Sequence, residues 1–549
     1  MRANLSRYQE IADTLARHGL SFLVGATGLG RWIPAGRRHP QHRPADPALT
    51  RAARLRLALE ELGPTFIKLG QLLSTRPDLL PPAYIAELSK LLDAAPPVSF
   101  DEIRETICRE LGAEPEQSFA SFDPAPLASA SIGQVHAAEL RDGTPVVVKV
   151  RRRDAVRQVQ EDLDILNDLA DRAARAWEAA RTYDVRGIVQ EFSRTLRAEL
   201  DYVREAENAD RFGALFADRP DVLIPGVVWT RSTSRVLTLE RVTGIKINDL
   251  EALDEAGIDR GALAKTGADV MLQMIFEHRF FHADPHPGNL FVQPDGSIAL
   301  IDFGMVGQIS EDLRDRFADF LIAYALQNPD ALADALVRVS VTKGNVDRDG
   351  FRQAMASFIG LAAERSLGEV GFGRMATELL RVLREQRLQL PREVALIFKV
   401  LMVIEGIGVQ LDPEFDLAAV LTPYAQRLVR DRLSPAALAK RMGRASTDAG
   451  ALLLELPTRL RRILDTMDGN GVEVHLRAAE LDPLVARTER IGNRLVAGMI
   501  TAALINAVGR FVAGDERWRS WRSALVGAGM TAASTLGGYL LWTARRRRR

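Results

Sequence analysis

Apolar side chains recur at helical spacing between residues 5 and 34, at Tyr8, Ile11, Leu15, Leu20, Phe22 and Leu23, and the pattern ends in a Gly-rich stretch closed by Pro34. That period puts one face of a helix on a core. Residues 35–47, rich in Arg, His and Pro, read as a linker. Helical periodicity returns over 47–92, a zone that includes Gly63-Pro64-Thr65-Phe66-Ile67-Lys68-Leu69-Gly70-Gln71, and again over 99–111. From Phe119 the runs shorten. His136 to Leu140, the turn residues Arg141-Asp142-Gly143, and Val146 to Val150 predict a hairpin. Two charge-laced helical stretches follow at about 153–180 and 185–216, then strand-like runs at 222–229 and 235–239. After Leu263 helices dominate, apart from short runs at 290–292 and 298–301 around Gln293-Pro294-Asp295-Gly296. This order predicts an α+β chain of two lobes, the smaller mostly β and the larger mostly α.

Near the C-terminus Leu495–Gly509 and Ser523–Ala544 carry no charge. The second run is long enough to span a bilayer, and the first becomes so if Arg510 snorkels. Trp518 and Trp521 between them suit an interfacial belt, while Arg487, Arg490 and Arg494 before the first run and Arg545–Arg549 after the second share one side of a hairpin. The positive-inside rule assigns that side to the cytosol. Two buried core helices are the rival reading. Gly529, Ala533 and Gly537 form a small-residue stripe able to pack the hairpin or a second copy, hence an expected homodimer. The expected division is an N-terminal helix and linker (1–46), a helical extension (47–118), a small lobe (119–243), a large lobe (244–430), a helical linker (431–490) and a membrane anchor (491–549).

A chain of 549 residues exceeds what one core organises. Its 72 basic and 72 acidic residues cancel, which argues against a nucleic-acid partner. Cys108 is the only cysteine, so an intramolecular disulfide and a cysteine-built zinc site are excluded. The N-terminus mixes charged and apolar residues without the continuous run of a secretory signal, which keeps the body of the protein cytoplasmic.

The chemistry concentrates in His282-Ala283-Asp284-Pro285-His286-Pro287-Gly288-Asn289 and Ile301-Asp302-Phe303-Gly304. In a kinase catalytic loop an Asp faces the attacking group, an Asn five positions on ligates Mg²⁺, and the Asp of Asp-Phe-Gly ligates Mg²⁺ on the phosphates. Asp284, Asn289 and Asp302 have that order. A metal centre of His282, Asp284 and His286 is the competing assignment. Reading back from Gly133-Gln134-Val135, the phosphate-loop template puts Ala128 and Ala130 where glycines are usual, with Ser131 between them and Gly133. Lys149 in the apolar strand Val146-Val147-Val148-Lys149 is the phosphate lysine, and a buried lysine needs a partner. Glu199, Asp201 and Glu205 are the candidates, with Asp201 and Glu205 one turn apart on a shared face and Glu199 directed elsewhere. Leu237 to Val242, including Glu240, is the expected hinge for adenine. No Ala-Pro-Glu follows Asp302, and Ala283 stands where many kinases carry an activation-loop-reading Arg. Both features argue against a peptide substrate.

With these elements the sequence resembles the UbiB (ADCK-like) family over about residues 5–430 and more loosely through the C-terminal runs. The resemblance rests on Lys68-Leu69-Gly70-Gln71, Ala128 to Val135, Glu199-Leu200-Asp201 with Glu205, and His282 to Asn289 with Asp302. It implies a protein-kinase-like fold that binds ATP and Mg²⁺, with the Lys68–Gln71 helix folded over the nucleotide cleft. Lys68 would face Glu199 and Asp201, and Glu205 would pair with Lys149. It further implies ATP hydrolysis in support of ubiquinone or related prenyl-quinone biosynthesis at a bacterial inner membrane, with the bilayer, prenyl-quinone precursors and quinone-biosynthesis proteins as partners. Phosphoryl transfer to a small molecule, lipid or protein, and an ATP-sensing scaffold without catalysis, are the other readings of the same residues.

Overall fold

The structure, a computed structural model, describes residues 2–29, 49–91, 95–177, 180, 184–341, 347–363 and 371–434, all within one compact unit. The expected 35–47 linker, the 435–490 segment and the C-terminal hairpin with its small-residue stripe lie outside the described residues.

The small lobe is built on strands β1 (Ser121–Ser129), β2 (Gly133–Glu139) and β3 (Pro145–Arg151). A short strand, β4 (Val222–Leu223), belongs to another sheet, and β5 (Val236–Glu240) completes the first, in the order β1-β2-β3-β5, all antiparallel. Alternation decides its two faces. Val146, Val148 and Val150 are fully buried against Ile103, Ile107 and Phe119, which turns Lys149 to the opposite face and into the cleft. The β2–β3 hairpin lies where the turn residues predict it. β1 was not legible as a strand: Pro124, Pro126 and a largely exposed pattern break its alternation, and its register slips between Phe122 and Ala128. An edge strand tolerates such prolines because one side needs no donors.

Two further readings are corrected. The helical stretch at 185–216 is two helices, Val185–Glu199 and Tyr202–Leu215, because the Asp201 carboxylate accepts from Val203 N at 3.2 Å and starts the second. The strand expected over 222–229 shrinks to β4, which runs parallel to β9 (Ile298–Leu300) in the sheet β4-β9-β8-β6, with β6 at Ile245–Lys246 and β8 at Leu290–Val292. Val227 retains only a single bridge to Leu239. The remaining strands, β7 (Phe280–His282) and β10 (Val306–Gln308), pair with each other and bracket the catalytic loop.

Apart from these short strands the large lobe is helical. Among the described residues one helix, Arg392–Leu411, is long and apolar enough to cross a membrane, with mean hydropathy 2.0. It is the lobe's core helix: Val400 and Leu401 share a core with Leu272 and Met274 at the end of the Arg260–Gln273 helix. The extension comprises Arg51–Leu62, Pro64–Ser74 and Pro82–Leu88. Gly70 permits their close crossing, since a Cβ there would overlap Leu91 and come within 2.9 Å of Leu59. Leu62 and Phe66 share a core with Ile11, Leu163, Phe192 and Leu196, and Arg7 bonds the buried Asp162 at 2.8 Å. The extension is thus welded to the long helix Ala155–Ala176 that follows β3.

Candidate nucleotide site

β3 and the Tyr202–Leu215 helix bring Lys149 Nζ to 2.9 Å from both oxygens of Glu205. Asp302 Oδ2 lies 3.7 Å from the same ammonium, and the Tyr202 ring lies 5.5 Å away. Burial opposes charge on Lys149, but Asp302 and Glu205 outweigh it and hold the lysine well above its ordinary value. Burial pushes the Glu205 carboxyl up, with Lys149 pulling it back. Lys149, with Lys68 adding to it, holds Asp302 below the usual carboxylate range against burial.

Asp302 adopts φ 63°, a left-handed conformation uncommon outside Gly, Asn and Asp. The strain is held from both sides. Phe303 is fully buried, its ring 5.4 Å from Phe212 and 5.8 Å from His282, and its carbonyl accepts from Asn208 at 2.9 Å. His282 is buried and neutral, its pKa lowered by burial. Its Nδ1 accepts from Asp284 N at 3.1 Å and its Nε2 donates to Ile301 O at 3.2 Å, so one ring ties the catalytic loop to the strand before Asp302. Asn289 donates from its amide nitrogen to Asp284 O at 3.2 Å, which directs its carbonyl oxygen away from that bond.

The segment expected to hold phosphate is the β1–β2 turn. Ala128 pairs with Val135 and Ser129, the last paired residue, with Gln134; Val135 is itself opposite Lys149, and Ala130 N donates to Gly133 O at 2.8 Å with Ser131 buried inside the turn. Arg152 braces it from behind through Ala130 O at 3.1 Å and Ser129 Oγ at 2.9 Å. At the hinge, Glu240 spends its side chain on Gly226 N at 3.0 Å, and Arg241 N donates to Pro145 O, leaving half-buried Val242 at the lobe junction.

Lys68 Nζ meets Glu199 Oε2 at 3.1 Å. The sequence pattern had turned Glu199 away and put Asp201 beside Glu205; the helix break at Leu200 and Asp201 reverses this, because Asp201 is outside the regular helix and caps it. Gln71 donates to Leu91 O at 3.1 Å within the extension. The His282–Asp284–His286 metal assignment fails: His282 bonds within the loop, His286 Nδ1 accepts from Gly288 N at 3.0 Å, and among the described residues no group of three or more His, Cys, Asp or Glu is placed to hold a metal. An Asp and an Asn do fit Mg²⁺ that keeps its waters and takes phosphate oxygens, since that ion needs only one or two protein carboxylates.

Two features escaped the sequence. Lys399 Nζ lies 2.7 Å from Asp284 Oδ1. Buried Arg76 and Asp78, just after the Lys68 helix, bond each other at 2.8 and 2.9 Å and grip Leu390, whose carbonyl accepts from Arg76 at 3.1 Å and whose N–H donates to Asp78 at 3.0 Å. The only sequence signal for Lys399 is its isolation in the apolar stretch Val394–Val403.

Residues 90–336 match the ABC1 atypical kinase-like domain, 355–416 the UbiB helical domain and 479–546 the ABC1/UbiB kinase-like C-terminal domain. A "Probable protein kinase UbiB" of Xanthomonas campestris is 36% identical over 515 residues, covering 91% of this chain and 92% of its own. One from Xylella fastidiosa is 35% identical, covering 91% and 93%. An uncharacterised protein of Synechocystis is 36% identical over 82% of this chain and 78% of its own. A solved erythromycin complex of a Mycobacterium tuberculosis protein covers 67% of this chain and 94% of that one at 24% identity, with a TM-score of 0.46. A kinase-like cleft and near full-length relatives together make this chain a member of the ABC1/UbiB family of atypical kinase-like proteins.

Proposed function

We propose that the chain is a Mg²⁺-dependent ATPase of kinase shape that acts at a bacterial inner membrane, its catalytic body in the cytoplasm, in support of ubiquinone or related prenyl-quinone biosynthesis. The observation that carries the ATP reading is the joint placement of Lys149, Glu205 and Asp302 in one cleft. A charged lysine fixed by a carboxylate is suited to the α- and β-phosphates, and Asp302 with Asn289 is suited to Mg²⁺. Bound Mg²⁺ would neutralise charge on the phosphate oxygens. Ala128, Ala130, Ser131, Gly133 and Val135 bound the phosphates from above, and the backbone at Glu240 and Val242 is suited to adenine. Asp284 orients the attacking water, held by the His282 bond to its N–H and the Asn289 bond to its carbonyl.

Hydrolysis is favoured over protein phosphorylation by the extension. The Lys68–Glu199 bridge ties a family-specific helix to the small lobe beside the site, and Gln71 holds that helix to its own extension. The quinone assignment follows the UbiB name of the relatives, and the membrane assignment follows the C-terminal apolar runs. Incubation with γ-labelled ATP tests the reading. Label is expected as free phosphate, and Asp302→Asn is expected to abolish it. Label in lipid or protein would make the chain a phosphotransferase, and full turnover by Asp302→Asn would sink the assignment.

A further inference from the structure

The core helix Arg392–Leu411 carries only two charged side chains beyond its first turn, Lys399 and Glu405. Glu405 has a structural task, accepting from Phe372 N and Gly373 N at 2.6 and 2.5 Å. Lys399 leaves the helix for the catalytic loop, where its ammonium lies 2.7 Å from Asp284 Oδ1. Stability gives this lysine little reason to be there. The Asp284 side chain is 43% exposed, and an ion pair so open to water contributes about 0–1 kcal/mol.

The catalytic loop itself supplies no second cation beside Asp284. The residue two places on is His286, whose Nδ1 is turned back onto Gly288 N. The start of the Lys399 helix is registered from two sides: Arg76 and Asp78 of the extension hold both backbone groups of Leu390, and Arg392 lies 3.5 Å from Glu191 on the Val185–Glu199 helix. A lysine isolated in an apolar helix therefore reaches the acceptor carboxylate from a precisely braced element, on the side where the loop lacks positive charge.

We propose that Lys399 is a further catalytic residue, its ammonium shared between Asp284 Oδ1 and an oxygen of the ATP γ-phosphoryl group; this rests on the ATPase reading above. Water forms the new bond to the γ-phosphorus while the bond to the β–γ bridging oxygen breaks, the electron pair leaving on ADP. The water proton passes to Asp284 Oδ2 and on to solvent. Lys399 keeps Oδ1 occupied, leaves Oδ2 for the water, and offsets charge on the transferring group where preorganised donors act most strongly.

The test uses the full chain with Lys399→Met and Lys399→Arg. In wild type Mg²⁺-ATP is hydrolysed. Lys399→Met is expected to lower kcat about a hundredfold, the scale seen when one such donor is removed. Calorimetry supplies a readout independent of turnover: Lys399→Met should weaken the non-hydrolysable analogue AMP-PNP about tenfold and leave ADP unchanged. Lys399→Arg should restore much of both. Unchanged kcat and analogue binding in Lys399→Met would overturn the proposal. So would faster hydrolysis, which would make the ion pair a lock, or equal loss of ADP and AMP-PNP without rescue by arginine, which would make the residue structural. A wild-type chain that binds no Mg²⁺-ATP would instead bring down the underlying ATPase reading.

Discussion

A methyl group on Gly133 would overlap the Tyr202 hydroxyl and sit 2.6 Å from Val150 O, so the last residue of the phosphate turn has no room for a side chain. Overpacking of this kind costs about 1–3 kcal/mol. The Tyr202 hydroxyl is buried without a hydrogen-bond partner among the described residues, and removing an unpaired buried hydroxyl is neutral or stabilising. Gly133→Ala is thus expected to lower the urea midpoint, Tyr202→Phe to leave it or raise it, and the double variant to recover part of the loss. Recovery stays partial because the Val150 carbonyl is backbone. Strict additivity in the cycle would contradict the contact. His136 gives a pH-dependent counterpart. Its Nδ1 donates to Asp123 O at 2.9 Å, its Nε2 accepts from Gln134 at 3.3 Å, and burial depresses its pKa below the ordinary 6.5. Because the unfolded chain binds the proton more readily, this stabilisation is complete above 6.5 and is lost as pH falls from there through the depressed folded value. The stability difference between wild type and His136→Asn should change by up to about 1.4 kcal/mol per pH unit in that window. Parallel urea curves from about pH 7.5 to 5 would remove His136 from the account.

At the scale of elements, sequence legibility followed distance along the chain. Asp284, Asn289 and Asp302 lie on adjacent loops joined by one short hairpin, so their spacing nearly specifies their geometry. Lys149 was readable because period-two alternation forces it off the buried face of β3. The Lys399–Asp284 contact spans 115 residues and the Arg76–Leu390 bond 314, and no local period encodes either. Glu199 and Asp201 show a subtler limit. Helical spacing was counted through Leu200, where the chain breaks and Asp201 turns from a face residue into a cap. The Arg76–Asp78 clamp carries the next expectation. Both side chains are nearly inaccessible, and removing one member of a buried ion pair typically costs about 3–5 kcal/mol. Asp78→Ala is expected to destabilise the chain on that scale and to raise hydrogen exchange in both Pro64–Ser74 and the segment around Leu390. Faster exchange in the extension alone would mean that Asp78 does not couple it to the large lobe.

For the whole molecule, the pattern of short apolar runs followed by helices led to the two-lobed α+β order, but it did not identify the helix most able to mimic a membrane span. Arg392–Leu411 has the composition, yet 61% of its apolar window is buried and its Lys399 is bonded to Asp284 Oδ1. The proposed membrane attachment then rests on the uncharged runs Leu495–Gly509 and Ser523–Ala544, which are the segments to test. A charged side chain at the centre of a spanning helix costs about 2.5–3.5 kcal/mol on insertion scales. One such change should weaken attachment, and Leu504→Arg with Leu536→Arg should carry the full chain from the membrane fraction to the supernatant in flotation. ATP binding should survive, because Lys149, Glu205, Asn289 and Asp302 all belong to the unit formed by the first 440 residues. If the double variant still floats with the membranes, attachment lies outside both runs and the exposed Leu5 and Phe22 of the N-terminal helices become the next surface to mutate.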